Sequence, residues 1–579
     1  MYKKIAQFAF ATGFGTLSVI GISFLQGEGE VKASKRSSSI ERPNIVMLIA
    51  DDMGYSDLAS YGGEIETPNI DALIGEGMML TNFHTAPTCS PTRSMLLTGV
   101  DNHDAGVGNM LEKLAPNQIG QPNYEGYLND KVVTLPTLLR DSGYHTYMAG
   151  KWHLGGVETP EKVKAVTGEE ISGFDPYERG FSESFTLLEG AGDHYSMRGF
   201  SPYFPVNDYT LNGEKLTELP EDFYSTKDFT DKMIEYVESN RKDGKPFFSY
   251  LAYSAPHTPY QAPKEYIDKY VPIYEAGWDE IRAQRFTRMK ELGLIPKYLE
   301  LPARWTVQGM KSWDSLSPEE QKYSAKKMAT YAAMIDYLDM SIGRYIDYLK
   351  EVGEYENTIF IFMTDNGADG HDRQNWDDFI PWIEEEGMDN SYENMGLPNS
   401  YITRDSNWSQ VSATPHWSEK STHAQGGLAG SFAISYPGFI QVGRTGAFSS
   451  VKDVTPTLLE YAGVEHPGSL YKGREIHPMA GKSMRPVLEG FAEKIYADDE
   501  AIAFEIFGKG EAAVYMGDWK LVRLNPGWGD KTWKLYNLAL DPTETKDLSE
   551  IYPDLRDSMI KDYEVYAEEK QIIPDNRVN

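Results

Sequence analysis

Four largely apolar segments, each ending in a cluster of polar residues, constrain the fold of this chain most strongly. They comprise residues 44–50, 145–149, 247–253 and 358–363. Apolar runs without strict polar–apolar alternation are typical of strands buried on both faces, as in a parallel sheet covered by helices. Segments with helical spacing of apolar residues lie between them. The sequence therefore predicts an α/β fold with a mostly parallel or mixed central sheet flanked by helices.

Beyond residue 490 the pattern changes to short strand-like segments separated by Gly, Pro and Asn. The strand candidates are residues 501–507, 512–515, 519–524 and 531–537. Such spacing predicts a small antiparallel sheet, and a helical pattern follows at residues 554–570. We therefore divide the chain into a main α/β domain, residues 43–490, and a smaller C-terminal α+β subdomain, residues 491–579.

The first 33 residues have the pattern of a bacterial-type signal peptide. Two lysines precede a largely apolar segment, residues 5–25, and residues 31–33 form an acceptable cleavage site. An uncleaved anchor is the alternative, because the apolar segment approaches the length that spans a bilayer. The sequence thus predicts a periplasmic or secreted protein with no stable membrane partner.

The balance of charges restricts the partners of the protein. Acidic residues number 87 and basic residues 55, which gives a net charge of -32. No basic face is evident, and this argues against a nucleic-acid partner. Because an acidic surface repels anions at long range, a site for an anionic substrate must be locally basic.

Oxygen-bearing side chains follow two of the predicted strands. Asp51 and Asp52 come directly after the first strand, and Asp365 and Asn366 follow the fourth. Because ligands bind beyond the carboxyl ends of strands in such sheets, these side chains are candidates for one shared site. Three carboxylates and one amide oxygen suit a hard cation, Ca²⁺ or Mg²⁺, better than zinc. For either pair alone, an ordinary turn after a strand is the alternative.

The single cysteine of the chain, Cys89, begins a segment with helix signals. Pro91 suits the first turn of a helix and Gly99 suits its end, so Cys89 should lie at or just before a helix N-terminus. Unpaired backbone N–H groups there favour negative charge, and Arg93 lies one turn further on. One cysteine cannot form an internal disulfide. The alternative is a buried cysteine that packs as a small apolar side chain.

The segment Cys-Ser-Pro-Thr-Arg, continued by an apolar stretch and Thr-Gly, resembles the active-site signature of type I sulfatases. The segment Gly-Lys-Trp-His-Leu-Gly with Lys151 and His153, and Ala-Pro-His with His257, match the same family. Lys420 also matches, whereas Gln425 stands where an acid usually precedes Gly-Gly. The chain therefore resembles bacterial arylsulfatases of the alkaline-phosphatase-like superfamily, and the departure at Gln425 leaves the substrate pocket there undefined.

The resemblance implies two cofactors. A maturation enzyme would oxidise Cys89 to formylglycine, an aldehyde whose hydrate attacks sulfur. One divalent cation, with calcium favoured over magnesium, would be held by Asp51, Asp52, Cys89, Asp365 and Asn366.

The resemblance also implies a catalytic set and a role for each member. The set comprises Cys89, Arg93, Lys151, His153, His257, Asp365 and Lys420. Asp365 would act as the base for the attacking hydroxyl, and His257 with Lys420 would protonate the leaving oxygen. His153 would take the proton of the second hydroxyl, while the two remaining basic side chains would hold the oxygens of residue 89.

These features predict an enzyme that hydrolyses sulfate monoesters of a small molecule or a sugar to inorganic sulfate and an alcohol or phenol. Two alternatives stay open at this point. One is a phosphonate or phosphodiester hydrolase built on the same site. The other is a calcium-dependent binding protein for sulfated glycans in which Cys89 remains a thiol.

Overall fold

The computed structural model describes residues 42–155, 175–306 and 310–577. The predicted signal peptide, residues 1–33, lies outside the described residues. Within them, no helix combines the length and the apolar character needed to cross a bilayer.

A sheet of eleven strands forms the centre of the main domain. Its path runs in the order β12-β2-β11-β10-β1-β9-β3-β4-β7-β8, and β13 pairs with β2. These strands are β1 Asn44–Ala50, β2 Met78–His84, β3 His145–Lys151, β4 Glu183–Leu187, β7 Tyr209–Leu211, β8 Glu214–Lys215, β9 Phe247–Ala252, β10 Thr358–Thr364, β11 Ala429–Ser435, β12 Gly443–Thr445 and β13 Ser449–Ser450. A separate hairpin joins β5 Arg198–Ser201 to β6 Phe204–Val206, and another joins β14 Leu470–Tyr471 to β15 Arg474–Glu475.

All four predicted strands lie side by side and parallel in the middle of this sheet. Strand β1 pairs in parallel with β10 and β9, and β9 pairs in parallel with β3. Strand β11 runs antiparallel to β10, so its N-terminal end lies at the edge where the parallel strands have their carboxyl ends. Every polar cluster that follows a predicted strand therefore reaches one edge of the sheet.

Burial on both faces explains the continuous apolar segments. In β1, Val46 and Leu48 belong to the hydrophobic core on one face, while Ile45 and Met47 belong to the core on the other. The helices are Pro68–Gly75, Cys89–Thr98, Leu135–Asp141, Ser225–Asn240, Lys264–Tyr274, Trp278–Leu292, Pro318–Glu351, Phe379–Glu385, Ser406–Ser412, Gln425–Leu428, Val454–Ala462, Arg485–Leu488 and Pro553–Glu569. The mixed α/β architecture predicted from the sequence is confirmed.

The longest helix, Pro318–Glu351, covers the first of these two faces. Ser317 and Glu320 form a reciprocal capping box at its start. Its buried side chains, among them Leu338 and Ile342, join the core that includes Val46. The helix Cys89–Thr98 packs on the opposite face through Met95 and its neighbours.

The predicted C-terminal sheet is present and antiparallel. It consists of β16 Ala501–Phe504, β17 Ala512–Met516, β18 Trp519–Arg523 and β19 Trp533–Asn537. The helix Pro553–Glu569 covers one face through Met559 and Tyr563. The first strand is shorter than predicted, because Glu505 leaves the ladder to accept a hydrogen bond from His103 and Phe507 adopts a left-handed backbone with φ 78°.

His103 links the main domain to this C-terminal region through two buried carboxylates. Its Nδ1 lies 3.2 Å from Asp101 and its Nε2 lies 3.0 Å from Glu505. Burial alone lowers the pKa of His103, but these two hydrogen bonds outweigh burial and raise the pKa to about 9. Protonated His103 therefore stabilises the folded protein fully below the unfolded pKa of roughly 6.5. This contribution to the free energy of unfolding is lost as the pH rises towards 9.

We expect His103→Gln to reduce the free energy of unfolding by about 3 kcal/mol at pH 6, because two buried carboxylates lose their cation. Urea unfolding at pH 6 and pH 9 measures this, and the difference between variant and wild type should shrink at pH 9. His145→Gln is the matched control, because His145 pairs with Asp243 at a partly exposed position. An equal loss at both pH values would contradict the assignment.

Candidate active site

The site forms where the carboxyl ends of the parallel strands meet the N-terminal end of the helix Cys89–Thr98. Asp51 follows β1, Lys151 ends β3, and Asp365 follows β10. Lys420 approaches from the segment before the antiparallel strand β11, whose N-terminal end lies at the same edge. The topology alone therefore brings these segments, which are far apart in sequence, to one place.

Cys89 is the first residue of its helix and is almost completely buried, with 1% of its surface exposed. Its Sγ lies 3.4 Å from Asp51 Oδ1, 3.7 Å from Asp52 Oδ1 and 3.4 Å from Lys420 Nζ. Burial, followed by the Asp365 carboxylate, raises the pKa of the Cys89 thiol well above its usual value. The side chain is therefore a neutral thiol as it stands, which makes it a poor thiolate nucleophile.

Two lysines neutralise the two aspartates that follow β1. Lys151 Nζ donates to Asp51 Oδ2 at 2.6 Å, and Lys420 Nζ donates to Asp52 Oδ2 at 2.8 Å. Asp52 has a left-handed backbone with φ 64°, a conformation that is uncommon outside glycine and asparagine and clusters at functional sites. Burial and the Asp365 carboxylate still raise the pKa of Asp51 to about 7. Burial of the three carboxylates in one site therefore opposes the negative charge on Asp51 even with Lys151 beside it.

Arg93 binds a carboxylate of the site. Its Nε and Nη2 donate to Asp365 Oδ2 at 3.0 and 2.8 Å, and its Nη1 donates to the Lys151 carbonyl at 2.8 Å. Burial raises the pKa of Asp365, but Arg93 and Lys151 outweigh burial and lower it overall. Arg93 therefore fixes Asp365 as an oriented carboxylate.

The predicted role of Arg93 and Lys151, to hold the oxygens of an oxidised residue 89, stays a prediction, because residue 89 is a cysteine in this structure. In this structure each donates to a carboxylate beside Cys89, Arg93 to Asp365 and Lys151 to Asp51.

His257 lies on the side of Lys420. Its Nε2 lies 3.4 Å from Lys420 Nζ and 3.3 Å from Asp52 Oδ2, while Nδ1 lies 2.7 Å from the Thr258 carbonyl. Because a carbonyl only accepts, Nδ1 carries a proton. Burial, then Lys420, lowers the pKa of His257 well below its usual value. His257 is therefore neutral, and Lys420 carries the positive charge of the pair as an ammonium group.

His153 borders the site with its backbone at φ 59°. Its Nε2 lies 3.3 Å from Glu112 Oε1, and its buried Nδ1 has no hydrogen-bond partner in the described part of the chain. Burial lowers the pKa of His153, and the Glu112 carboxylate opposes this effect. If Nε2 donates to Glu112, Nδ1 is left as a free acceptor.

Glu112 is a site residue that the sequence analysis missed. It lies in a short 3-10 turn, Leu111–Lys113, within a segment that no motif marks. A lone acid in a polar segment carries no signal of its own, so only the fold brings it to His153.

We expect Glu112→Gln to lower kcat by roughly tenfold, because such a partner orients the histidine and raises its basicity. With the carboxylate gone, burial lowers the pKa of His153 further, so the acidic limb of the kcat–pH profile should move to lower pH. Steady-state kinetics from pH 5 to 9 measures both effects. Glu183→Gln, at another strand, is the control. A fall in kcat with an unmoved acidic limb would indicate a structural role only.

The ion pair between Asp369 and Arg373, shortly after Asn366, is a second feature that the sequence analysis did not include. Arg373 Nη1 donates to Asp369 Oδ2 at 2.5 Å, and Asp369 is buried. Burial and the two lysines of the site are the largest causes of the lowered His257 pKa, and Arg373 lowers that pKa further. Arg373 therefore adds positive charge near His257, and the Asp369 carboxylate opposes its effect.

The site has the oxygen donors that a hard cation requires. One ligand atom from each of Asp51, Asp52, Cys89 and His257 lies within 4.8 Å of the others. Asn366 Nδ2 donates to Asp52 Oδ1 at 2.6 Å, while its buried Oδ1 has no hydrogen-bond partner in the described residues. An unpartnered buried oxygen beside several carboxylates fits a bound Ca²⁺ or Mg²⁺.

Gln425, whose effect on the substrate pocket the sequence analysis left undefined, contacts the C-terminal sheet. Its Oε1 accepts from Tyr515 at 2.5 Å and from Lys520 at 3.2 Å, and its backbone N–H donates to Glu544 at 2.7 Å. Lys520 and Glu544 form a buried ion pair at 2.7 Å. The side chain therefore belongs to a polar contact with the C-terminal sheet.

Comparison with known proteins agrees with this geometry. The family model described as sulfatase matches residues 43–464. The chain is 40% identical to an uncharacterized sulfatase of Schizosaccharomyces pombe, covering 94% of this chain and 97% of that protein. It is 39% identical to an arylsulfatase of Klebsiella aerogenes, covering 77% and 92%.

The fold is similar to that of the PsFucS1 sulfatase from Pseudoalteromonas sp., with a TM-score of 0.59, 20% identity and coverage of 93% and 92%. The mixed α/β sheet with helices on both faces defines the class of fold, and the PsFucS1 sulfatase structure shares it. Within that class, the chain belongs to the sulfatase family and is a sulfate ester hydrolase.

Proposed function

We propose that the protein is an arylsulfatase-type enzyme that uses a formylglycine made from Cys89 and one divalent cation, Ca²⁺ in preference to Mg²⁺. The observation that carries this proposal is the position of Cys89 at a helix N-terminus, with Asp51, Asp52 and Lys420 within 3.7 Å of its Sγ. A neutral, enclosed thiol has little use there, whereas an aldehyde hydrate would provide a nucleophilic hydroxyl.

The cation would be held by Asp51, Asp52, Asp365 and Asn366 together with residue 89. When bound, it would withdraw charge from the sulfate ester and lower the pKa of a hydroxyl nearby. Calcium is favoured over magnesium because several protein side chains converge on the site, whereas Mg²⁺ usually keeps several waters and is bound through one or two carboxylates.

Asp365 is the proposed base for the attacking hydroxyl. Arg93 occupies its Oδ2, and its Oδ1 accepts from the Asp52 amide at 3.2 Å. A carboxylate whose pKa is lowered in this way is a weak base, so it serves only where the hydroxyl is already acidic.

His257 and Lys420 are the proposed acid at the leaving oxygen. The ammonium group of Lys420 keeps a proton 3.4 Å from His257 Nε2, and the pair can pass it to an alkoxide or phenolate as the bond to sulfur breaks. His153, positioned by Glu112, is the proposed base for the step that releases sulfate.

The experiment combines two measurements on the purified protein. Release of inorganic sulfate from 4-nitrophenyl sulfate tests the reaction, and mass spectrometry of the peptide containing residue 89 tests for the aldehyde, which is lighter than the thiol. A phosphonate or phosphodiester hydrolase would instead prefer the corresponding phosphorus esters. An unmodified thiol with calcium-dependent glycan binding and no turnover would support the binding-protein alternative.

We propose a periplasmic or secreted location, based on the N-terminal sequence pattern. The formylglycine-generating maturation enzyme would be the partner that acts on Cys89. N-terminal sequencing of the protein from its host distinguishes cleavage after residue 33 from a retained anchor.

A further inference from the structure

A cavity of about 830 Å³ adjoins the active site on the side of His153. Ser90, the neighbour of Cys89, and His153 both line it. Phe200 lines it as well and packs edge-on against His257, with ring centroids 6.0 Å apart. The cavity therefore reaches the reaction centre beside the proposed nucleophile and beside the proposed acid. Cavities of roughly 300–1,000 Å³ enclose drug-sized ligands.

The walls of this cavity are largely apolar. They include Leu111, Leu114, Ile119, Phe200, Phe204 and Val206. Three apolar or aromatic side chains at its lining remain strongly exposed: Ile119 at 40%, Val206 at 65% and Tyr203 at 68%. Grouped exposed apolar side chains mark a surface that binds an apolar ligand.

The charged groups in the walls disfavour a further anion. Carboxylates come from Glu112, Glu125, Glu189 and Asp208, and lysines from Lys131 and Lys215. Lys215 is paired with Asp208 at 2.5 Å. Burial raises the pKa of Glu125 and takes that of Glu189 to about 8, so this environment opposes negative charge even on its own side chains.

We propose that the cavity receives the leaving group, and that this group is a large, uncharged aromatic or apolar alcohol or phenol. The inference rests on the proposed sulfatase function and specifies its substrate class. A second sulfate or a carboxylate on the leaving group would lose hydration in the apolar walls and would approach the carboxylates of Glu112 and Asp208. Monosulfate esters of hydrophobic alcohols are therefore preferred over polysulfated saccharides.

The test compares kcat/KM of the mature enzyme for phenyl sulfate, 2-naphthyl sulfate and 6-carboxy-2-naphthyl sulfate. We expect 2-naphthyl sulfate to exceed phenyl sulfate by about tenfold, since the second ring removes further apolar surface from water. The carboxylated ester should fall at least about tenfold below its neutral counterpart, and added salt should narrow that gap.

Substitutions at the cavity mouth separate the local effect from the overall charge of the protein. Val206→Lys should narrow the gap between the neutral and carboxylated naphthyl esters by about threefold or more. Val442→Lys is the matched control, because Val442 is equally exposed, at 68%, and does not line the cavity. Val442→Lys should leave the gap unchanged.

The outcomes distinguish this inference from the function on which it rests. Equal kcat/KM for the two naphthyl esters, or a preference for a disulfated disaccharide, overturns the inference while sulfatase activity stands. Absence of sulfate release from every ester overturns the proposed function and the inference with it. If the difference in kcat/KM between the neutral and carboxylated esters shrinks equally in both lysine variants, overall charge causes that difference. This result would also overturn the inference.

Discussion

Cys89→Ser is expected to lower steady-state sulfate release by at least about 10³-fold, because removal of an essential nucleophile has effects of this size or larger. A serine offers one oxygen, whereas the hydrate of an aldehyde offers two. The serine enzyme therefore has no second hydroxyl with which to expel sulfate. The serine is enclosed by the same partners, Asp51, Asp52 and Lys420, so one attack on sulfur remains feasible.

Two measurements check this expectation. A steady-state assay with 4-nitrophenyl sulfate gives the loss of turnover, and intact-protein mass spectrometry shows whether one sulfate stays attached. Cys89→Ala is the matched control, because it should be equally inactive and carry no adduct. Full turnover by the serine variant would refute the role assigned to position 89.

Removal of the cation is the second large effect that we expect. Incubation with EDTA should lower activity at least about 10²-fold, because the electrostatic stabilisation of developing charge is lost. The carboxylates of Asp51, Asp52 and Asp365 would then share one buried site, where burial and Asp365 raise the pKa of Asp51 to about 7. Readdition of Ca²⁺ or of Mg²⁺ identifies the metal that restores activity.

A stability measurement makes the same test independent of activity. Because a cation binds the native state, Ca²⁺ at a hundredfold excess over its Kd should add about 2.7 kcal/mol to the free energy of unfolding. Asp51→Asn should abolish this gain. Asp453→Asn is the control, since Asp453 is equally buried but is bonded to Ser450, Lys482 and Tyr496. A gain that survives in Asp51→Asn would place the cation elsewhere.

The fold was predictable because its strands carry a strong and local signal. The segment Asn44–Ala50 is apolar at every position but its first, since both faces of β1 are buried. Its parallel partners are also largely apolar and buried on both faces, so each strand could be predicted without knowledge of its place in the sheet. The end of β16 was not predictable, because the departure of Glu505 depends on His103, which is about 400 residues away in the sequence.

The candidate site was predictable only where a motif marked it. Cys89 and the polar residues at the strand ends do converge at one edge of the sheet, although their chemical roles stay predictions. The roles of Arg93 and Lys151 toward residue 89 stay predictions, whereas their carboxylate partners, Asp365 and Asp51, are shown only by the folded chain. Glu112 and the cavity walls lie in segments without a motif, and only the folded chain brings them to His153.

The buried Lys520–Glu544 pair has a practical consequence for protein engineering. Glu544 accepts the backbone N–H of Gln425, five residues after the lysine that faces His257. A truncated protein that ends at residue 490 would leave the Gln425 amide without its acceptor. It would also expose the Gln425 side chain, which contacts Tyr515 and Lys520. Any chimera or shortened enzyme should therefore retain the C-terminal region, because that region supports the loop that carries Lys420.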